Sequence, residues 1–249
     1  MRPERNSRRM LAGLLLALCL PAQGADVPLK AFRATYSATL NGVPLGFPVT
    51  VDLNSSDSDT WAMALTASSG VLDYREHSRF RWHNCNSTPL QYRYDFQGFG
   101  ISRKLWLDFD HDKRRAIGES RKGALDYAFP ADATDELSLT FAARCQLARG
   151  AGEARFNAAT INGMKKLVYR NDGTESVKTP LGTFEALRIQ RVRKEGDKRR
   201  STVWVAPKLD YLMVKMEHVE KLGVRGTILL RALDTPPATA ASAASGLRP

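Results

Sequence analysis

Cysteine and histidine are scarce in this sequence, with three Cys and four His among 249 residues. Zinc sites need closely spaced Cys or His ligands, and neither such a cluster nor an HExxH pattern is present. Ser68-Ser69-Gly70 is not a nucleophile elbow, because that motif needs Gly on both sides of the Ser. The sequence predicts no catalytic residue, no metal site and no cofactor, and it leaves enzymatic activity uncertain but disfavoured.

One acidic stretch has the spacing of a calcium-binding loop without its other requirements. Four carboxylates fall at ligand positions of such a loop: Asp108, Asp110, Asp112 and Glu119. Lys113 occupies the position where the sharp turn of the loop needs Gly, and the flanking residues have the pattern of strands rather than helices. A solvated hairpin is the better interpretation of these residues.

Long apolar runs are missing apart from one near the start of the chain. Met10 to Leu20 follows four Arg residues and precedes Pro21-Ala22-Gln23-Gly24-Ala25, which is the order of regions in a secretory signal peptide. The run is too short to span a bilayer, and no later segment approaches the roughly 20 apolar residues that spanning needs. We expect residues 1–24 to be cleaved, the protein to reach the periplasm, and no transmembrane segment to remain after processing.

Negative charge is in the minority, with 26 Asp and Glu against 37 Lys and Arg and a formal net charge of +11. Residues 1–24 contain four Arg and one Glu, so about +8 remains after processing. A positive net charge favours anionic partners. In the periplasm these would be an anionic lipid, glycolipid or polysaccharide, or an envelope protein, and nucleic acid is not expected.

Two cysteines, Cys85 and Cys145, remain after the signal peptide is removed. An oxidising compartment allows a disulfide between them. Because Cys145 lies in a predicted helix, it is equally compatible with a buried free thiol. Both alternatives stay open at this point.

Apolar and polar residues alternate along most of the chain, as in Phe47 to Leu53 and Trp61 to Leu65. Turn-forming pairs such as Asn41-Gly42 and Asp172-Gly173 separate segments of about 7 to 12 residues, a spacing typical of an antiparallel meander. The pattern predicts a single domain over residues 25–234, built as an antiparallel β-barrel or strongly curved sheet of about eleven or twelve strands. Residues 235–249 are almost wholly Ala, Ser, Thr, Pro and Gly, which predicts a disordered tail.

One segment, Asp132 to Arg149, departs from the alternation. Its apolar residues Leu137, Phe141 and Cys145 are spaced four apart, as on one face of a helix. Thr134 or Asp135 precedes this run as a candidate N-cap, and Gly150 follows it as a stop signal. We expect one α-helix packed on the sheet.

A basic stripe recurs at every second position of one predicted strand and consists of Arg75, His77, Arg79, Arg81 and His83. Side chains at this spacing project from one face, opposite Tyr74, Phe80 and Trp82. The basic face is either an exposed surface that keeps the strand soluble or the wall of a groove in which Arg side chains bind phosphate or carboxylate. The candidate anion-binding residues are Arg75, His77, Arg79 and Arg81.

A second basic cluster flanks Gly196-Asp197, a predicted hairpin tip. Solvation alone accounts for charge at such a tip, but the cluster also suits an anionic membrane surface at roughly 1 kcal/mol per basic residue. The candidate membrane or partner surface consists of Arg193, Lys194, Lys198, Arg199 and Arg200.

Several short stretches together resemble a known family. The most specific runs from Thr179 to Leu187 and reads Thr-Pro-Leu-Gly-Thr-Phe-Glu-Ala-Leu, and others are Thr88 to Tyr92 and Trp204 to Pro207. Over about residues 30–233 the chain resembles the bacterial exported family called domain of unknown function 3108. The resemblance implies an exported β-rich protein similar to the open β-barrels of lipoprotein and lipid carriers, and it transfers no catalytic residue.

These observations favour binding over catalysis. The leading hypothesis is a periplasmic binding or carrier module for an amphipathic anionic envelope ligand, with the sheet interior taking the apolar part. The alternative is an envelope protein-interaction or assembly factor without a small-molecule ligand. A hydrolase of envelope polymer is the third hypothesis.

Overall fold

The computed structural model describes residues 29–98, 100–160 and 162–235. The predicted signal peptide and, apart from Thr235, the predicted tail lie outside these residues. The described part contains the strands β1 (Phe32–Leu40), β2 (Val43–Ser55), β3 (Thr60–Ser68), β4 (Leu72–His83), β5 (Asn86–Gly98), β6 (Ile101–Asp110), β7 (Arg115–Ser120), β8 (Gly123–Ala128), β9 (Ala133–Asp135), β10 (Glu153–Thr160), β11 (Gly163–Thr179), β12 (Gly182–Val192), β13 (Arg200–Ala206), β14 (Leu212–Val219) and β15 (Arg225–Asp234). The helices are α1 (Leu139–Ala148) and a short 3-10 turn (Pro207–Leu209).

All these strands form one sheet in the order β8 to β1, then β15 to β9. Neighbouring strands are antiparallel, except for the parallel pair of β9 and β10. The pairing of β1 with β15 places the first and last strands together in the middle of the sheet, and β8 and β9 form its two edges. The predicted antiparallel, strongly curved sheet with one helix is confirmed in its open form.

The described part has fifteen strands rather than the predicted eleven or twelve. The strand β7 shows why, because its inward positions hold only the small residues Ala116, Gly118 and Ser120. A Cβ added at Gly118 would lie 1.8 Å from the Trp106 carbonyl oxygen, so this position excludes a larger side chain. Such a strand lacks the alternation of large apolar residues by which strands are detected in sequence.

The curvature brings the edge strand β9 against the concave face of the other half of the sheet. The Asp135 carboxylate accepts a hydrogen bond from the Ser78 hydroxyl on β4 at 2.7 Å, and the Thr134 and Ser87 hydroxyls lie 2.7 Å apart. These residues are buried. The space enclosed by the curved sheet is therefore the core, and β9 lies inside it.

The helix α1 continues from β9 and packs inside the curve. The Phe141 ring lies 5.8 Å from Phe80 and 6.5 Å from both Phe32 and Trp82, measured between ring centroids. A disulfide joins Cys145 to Cys85 in the turn between β4 and β5, which ties the helix to one end of the sheet. No helix in the described ranges has the length and apolar character needed to cross a membrane.

The helix begins later than the sequence pattern suggests, at Leu139 rather than near Asp132. Residues 133–135 instead pair with β10 as a strand. Asp135 still acts like a cap, because its Oδ1 atom accepts the backbone N–H groups of Leu137 at 2.9 Å and Ser138 at 2.8 Å. Asp135 thus stabilises the turn between strand and helix rather than the first turn of the helix.

Candidate functional site

A cavity of about 320 Å³ lies at the end of the sheet where β1 begins and β4 ends. We call this the cavity end. The walls are mostly apolar side chains of α1 and the neighbouring strands, including Phe32, Leu53, Trp82, Phe141, Leu212 and Leu233. A pocket of this size lies at the lower limit of small-molecule sites, which enclose about 300–1,000 Å³.

The mouth of the cavity is charged. Lys30 and Asp210 line it and form an ion pair with an N–O distance of 3.3 Å, although their side chains are 71% and 70% exposed. Lys208 also contributes to the lining. Because the ion pair is exposed, it is weak and can open without a large energetic cost.

Arg144 supplies a cation inside the apolar wall. Its guanidinium carbon lies 4.7 Å from the Phe141 ring centroid and 5.4 Å from that of Phe32. Within the described ranges, Arg144 forms no hydrogen bond and no ion pair with a carboxylate. Burial lowers its pKa to about 10, against a weaker opposing influence of Tyr36 and Asp210. The side chain is therefore charged at neutral pH.

Trp82 belongs to the apolar wall of the same cavity. Its indole Nε1 is buried and has no hydrogen-bond partner within the described part of the chain. Buried donors without partners are rare in folded proteins. Because the Nε1 atom has almost no accessible surface, it does not face the open space of the cavity. The donors for an oxygen-rich anionic group are therefore Arg144 in the wall and Lys30 and Lys208 at the mouth.

A family model for a protein of unknown function, DUF3108, matches residues 34–230. The chain belongs to this family. The match confirms the family resemblance that the short sequence stretches indicated. A search of curated proteins finds no match.

Among solved structures, the DUF3108 chain is similar to a beta-barrel-like protein of the domain-of-unknown-function family DUF1849 from Brucella abortus. The two share 9% sequence identity with a TM-score of 0.56, and the likeness covers 84% of this chain and 99% of that one. At such low identity the likeness shows the fold alone.

The predicted basic strand is β4 of the DUF3108 chain, and its basic residues face away from the core. Arg75, Arg79 and Arg81 are exposed, and His77 is half-buried. Arg75 forms an ion pair with Asp73 at 3.0 Å. None of these basic residues lines the cavity, whereas Trp82 on the opposite face of β4 does. The structure thus separates the basic face of β4 from the apolar interior.

The basic cluster beside Gly196 lies at the turn between β12 and β13. Asp197 forms ion pairs with Arg199 at 2.7 Å and Arg193 at 3.6 Å, and hydrogen bonds from Arg199 lower the Asp197 pKa. The remaining cations of the cluster, Lys194, Lys198 and Arg200, have no ion pair within the described ranges. All three are exposed.

The structure contains a buried acid cluster that the sequence patterns did not predict. Tyr74 and Tyr92 donate hydroxyl hydrogen bonds to Glu76, with O–O distances of 2.6 and 2.5 Å. Burial raises the Glu76 pKa to about 7, and Glu136 and Asp135 contribute in the same direction. The alternation along β4 could have predicted this cluster, because Glu76 lies an even number of residues from Tyr74 and Phe80 and so faces the interior with them.

Raised carboxyl pKa values are a feature of active sites, so the acid cluster also bears on catalysis. Each oxygen of Glu76 already accepts a tyrosine hydroxyl. Asp135 accepts from two hydroxyls and two backbone N–H groups. Neither carboxylate lines the described cavity. Their geometry fits a satisfied polar network in the core better than an acid–base pair.

Proposed function

We propose that this DUF3108 chain is a periplasmic binding or carrier module for a small amphipathic anion. The cavity beside α1 takes the apolar part, and Arg144 binds the anionic group. The observation that carries this proposal is a charged guanidinium in an apolar wall without a carboxylate partner in the described part of the chain. The signal-peptide pattern supports the periplasmic location.

The energetics of Arg144 support a ligand of opposite charge. Arg144 is half-buried, and taking a cation even partly out of water is unfavourable unless a counter-charge and hydrogen bonds offset the loss of hydration. Contact with Phe32 and Phe141 recovers about 0.5–2 kcal/mol, which is less than a carboxylate or phosphate group would contribute. Lys30 and Lys208, which also line the cavity, add positive charge near the guanidinium and support an anionic group there.

The cavity also constrains the size of the ligand. At about 30 Å³ for each water-sized group, its volume of about 320 Å³ corresponds to about ten non-hydrogen atoms. Octanoate has this size and combines an apolar chain with a carboxylate. A longer acyl chain would extend through the mouth past the exposed Lys30 and Asp210 pair.

The test compares octanoate with octanol, which has the same chain without the charge. Calorimetric titration of the purified protein should give at least about tenfold tighter binding of octanoate, equivalent to about 1.4 kcal/mol. Arg144→Met keeps an apolar side chain of similar length and should abolish this preference. Its melting temperature should not fall, because the substitution removes a half-buried charge that has no ion pair within the described ranges.

Arg79→Met is the matched control, since it makes the same change on the outward face of β4. This variant should bind octanoate as the wild-type protein does. Equal binding of octanoate and octanol to the wild-type protein would contradict the proposal. So would an Arg144→Met variant that keeps the preference for the anion.

A further inference from the structure

The end of the sheet opposite the cavity is formed by a row of hairpin turns. Antiparallel pairing brings Leu40 beside both Val43 of β2 and Gly226 of β15, and Arg200 beside Val219. The turns that join β1 to β2, β3 to β4, β5 to β6, β7 to β8, β12 to β13 and β14 to β15 therefore all lie at this end. We call these six turns and the residues next to them the hairpin end.

The hairpin end exposes large apolar side chains. In the described part of the chain, ten large apolar residues are exposed, and seven of them belong to this end. Leu222 is 94% exposed, Val71 is 69% exposed and Val43 is 65% exposed. The other four are Leu40, Ile101, Val192 and Val224. They come from five separate turns, so they form a ring of projecting tips rather than one groove.

Positive charge accompanies these apolar tips. Six cations at the hairpin end form no ion pair within the described ranges: Arg121, Lys122, Lys194, Lys198, Arg200 and Lys221. Most acidic groups nearby are already engaged, since Asp197, Glu217 and Glu220 each pair with a basic residue. Glu195 is a carboxylate at this end without such a partner. The surface is therefore both apolar and cationic.

The turns at the cavity end are mixed in charge and expose fewer large apolar side chains, since Lys113, Arg114 and Lys208 lie there among acidic residues. They carry exposed or half-exposed carboxylates, namely Asp57, Asp59, Asp110, Asp112, Asp132 and Asp210. Leu181, between β11 and β12, is a large exposed apolar side chain at this end. General solubility does not require this asymmetry, because scattered apolar residues would then occur at both ends.

We infer that the hairpin end docks on an anionic lipid bilayer. Leu222, Val71 and Val43 would enter the interfacial region, while the unpaired Lys and Arg side chains contact the headgroups. Charge complementarity favours this partner, since six cations at this end form no ion pair within the described residues. A bilayer also accommodates separately projecting side chains, whereas a folded protein would have to match each of the turns in shape.

Vesicle sedimentation tests the inference directly. The purified protein should bind phosphatidylcholine vesicles that contain about one third phosphatidylglycerol, and raising the salt concentration should weaken this binding. The double variant Lys198→Gln/Lys221→Gln should lower the partition constant by about fivefold for each charge removed. The matched control Lys113→Gln/Lys178→Gln, which removes the same charge elsewhere, should leave it unchanged.

The apolar contribution is tested with Leu222→Ser, which should lower partitioning by about tenfold. Ile117→Ser is its control, because Ile117 is 45% exposed on the outer face of β7 and lies outside the hairpin turns. Failure of the wild-type protein to bind anionic vesicles at low salt would overturn the inference, as would equal effects of the hairpin-end and control variants. Binding of a protein at this end without vesicle binding would also overturn it.

Discussion

The two ends of the curved sheet are built differently, although the same strands supply both. At the cavity end, α1, a disulfide and a cluster of aromatic rings close the core around a cavity with an unpaired cation. At the hairpin end, tight turns expose apolar tips and free cations. A meander allows the proposed binding site and the proposed docking surface to lie apart, because alternate turns fall at opposite ends of its strands.

Removing the disulfide should have the largest effect, and it should act on the cavity end. The bond closes a loop of 60 residues, for which the chain-entropy model gives a stabilisation of about 4 kcal/mol. Cys85→Ala/Cys145→Ala should lower the unfolding free energy in urea by up to this amount. Octanoate binding should weaken as well, since α1 carries Arg144 and loses its covalent tie to the sheet.

The hairpin end provides the contrast for this variant. Below the urea concentration at which the variant unfolds, its partitioning to anionic vesicles should equal that of the wild-type protein. Loss of vesicle binding in the folded variant would show that the two ends are not independent. Unchanged octanoate affinity would show that the position of α1 does not depend on the disulfide.

The next largest effect concerns Glu76, which lies between the two ends on β4. Because the folded protein raises its pKa from 4.5 to about 7, the folded state holds this proton more tightly than the unfolded chain. Stability from this group is complete below about pH 4.5 and is lost as the pH rises through about 7, by about 3 kcal/mol in total. Glu76→Gln should remove this loss and be more stable than the wild-type protein at pH 8.

Urea unfolding of both proteins from pH 5 to pH 8 measures this difference. Glu185→Gln, a change at an exposed carboxylate of β12, serves as the control and should follow the wild-type curve. A Glu76→Gln variant whose stability parallels that of the wild-type protein across this range would rule out a raised pKa. Glu76 belongs to neither end, so its ionisation should weaken octanoate binding and vesicle binding only by unfolding the whole core.

Much of the fold was predictable from alternation alone. The residues from Phe47 to Leu53 read as a half-buried strand, and Val49, Val51 and Leu53 are indeed buried. What alternation misses is strands with small inward residues, such as β7, and very short strands such as β9. The strand β9 forms because it pairs with β10 and its side chains hydrogen-bond to the hydroxyls of Ser78 and Ser87. These contacts depend on tertiary structure.

The candidate site was less predictable than the fold. Arg144 follows Phe141 by three residues, so helical spacing does place it beside the core face of α1. The sequence does not reveal that Phe32, from a distant strand, contacts Arg144, or that Trp82 lines the same cavity. The basic stripe on β4 was conspicuous by its period, but the same period places it on the face opposite the core.

The smallest effect is expected for Arg79→Glu, which decides between the basic stripe of β4 and the cavity. Arg79 is exposed, and its cross-strand neighbours are the uncharged Ala62 and Gln91. Charge reversal should therefore change the unfolding free energy by no more than about 0.5 kcal/mol. Octanoate affinity should stay at the wild-type value, because the side chain points away from the cavity.

A loss of octanoate binding in Arg79→Glu with unchanged melting temperature would move the anion site to the outer face of β4. Arg144→Met is measured in the same experiment. The two variants together show which of the two arginines is responsible for the preference for octanoate over octanol. If the preference is lost in Arg144→Met alone, the unpaired cation inside the apolar wall, and not the more conspicuous row of exposed ones, is the binding group. That result would mean that a single half-buried charge outweighs several exposed ones, because water and salt screen the exposed charges more strongly.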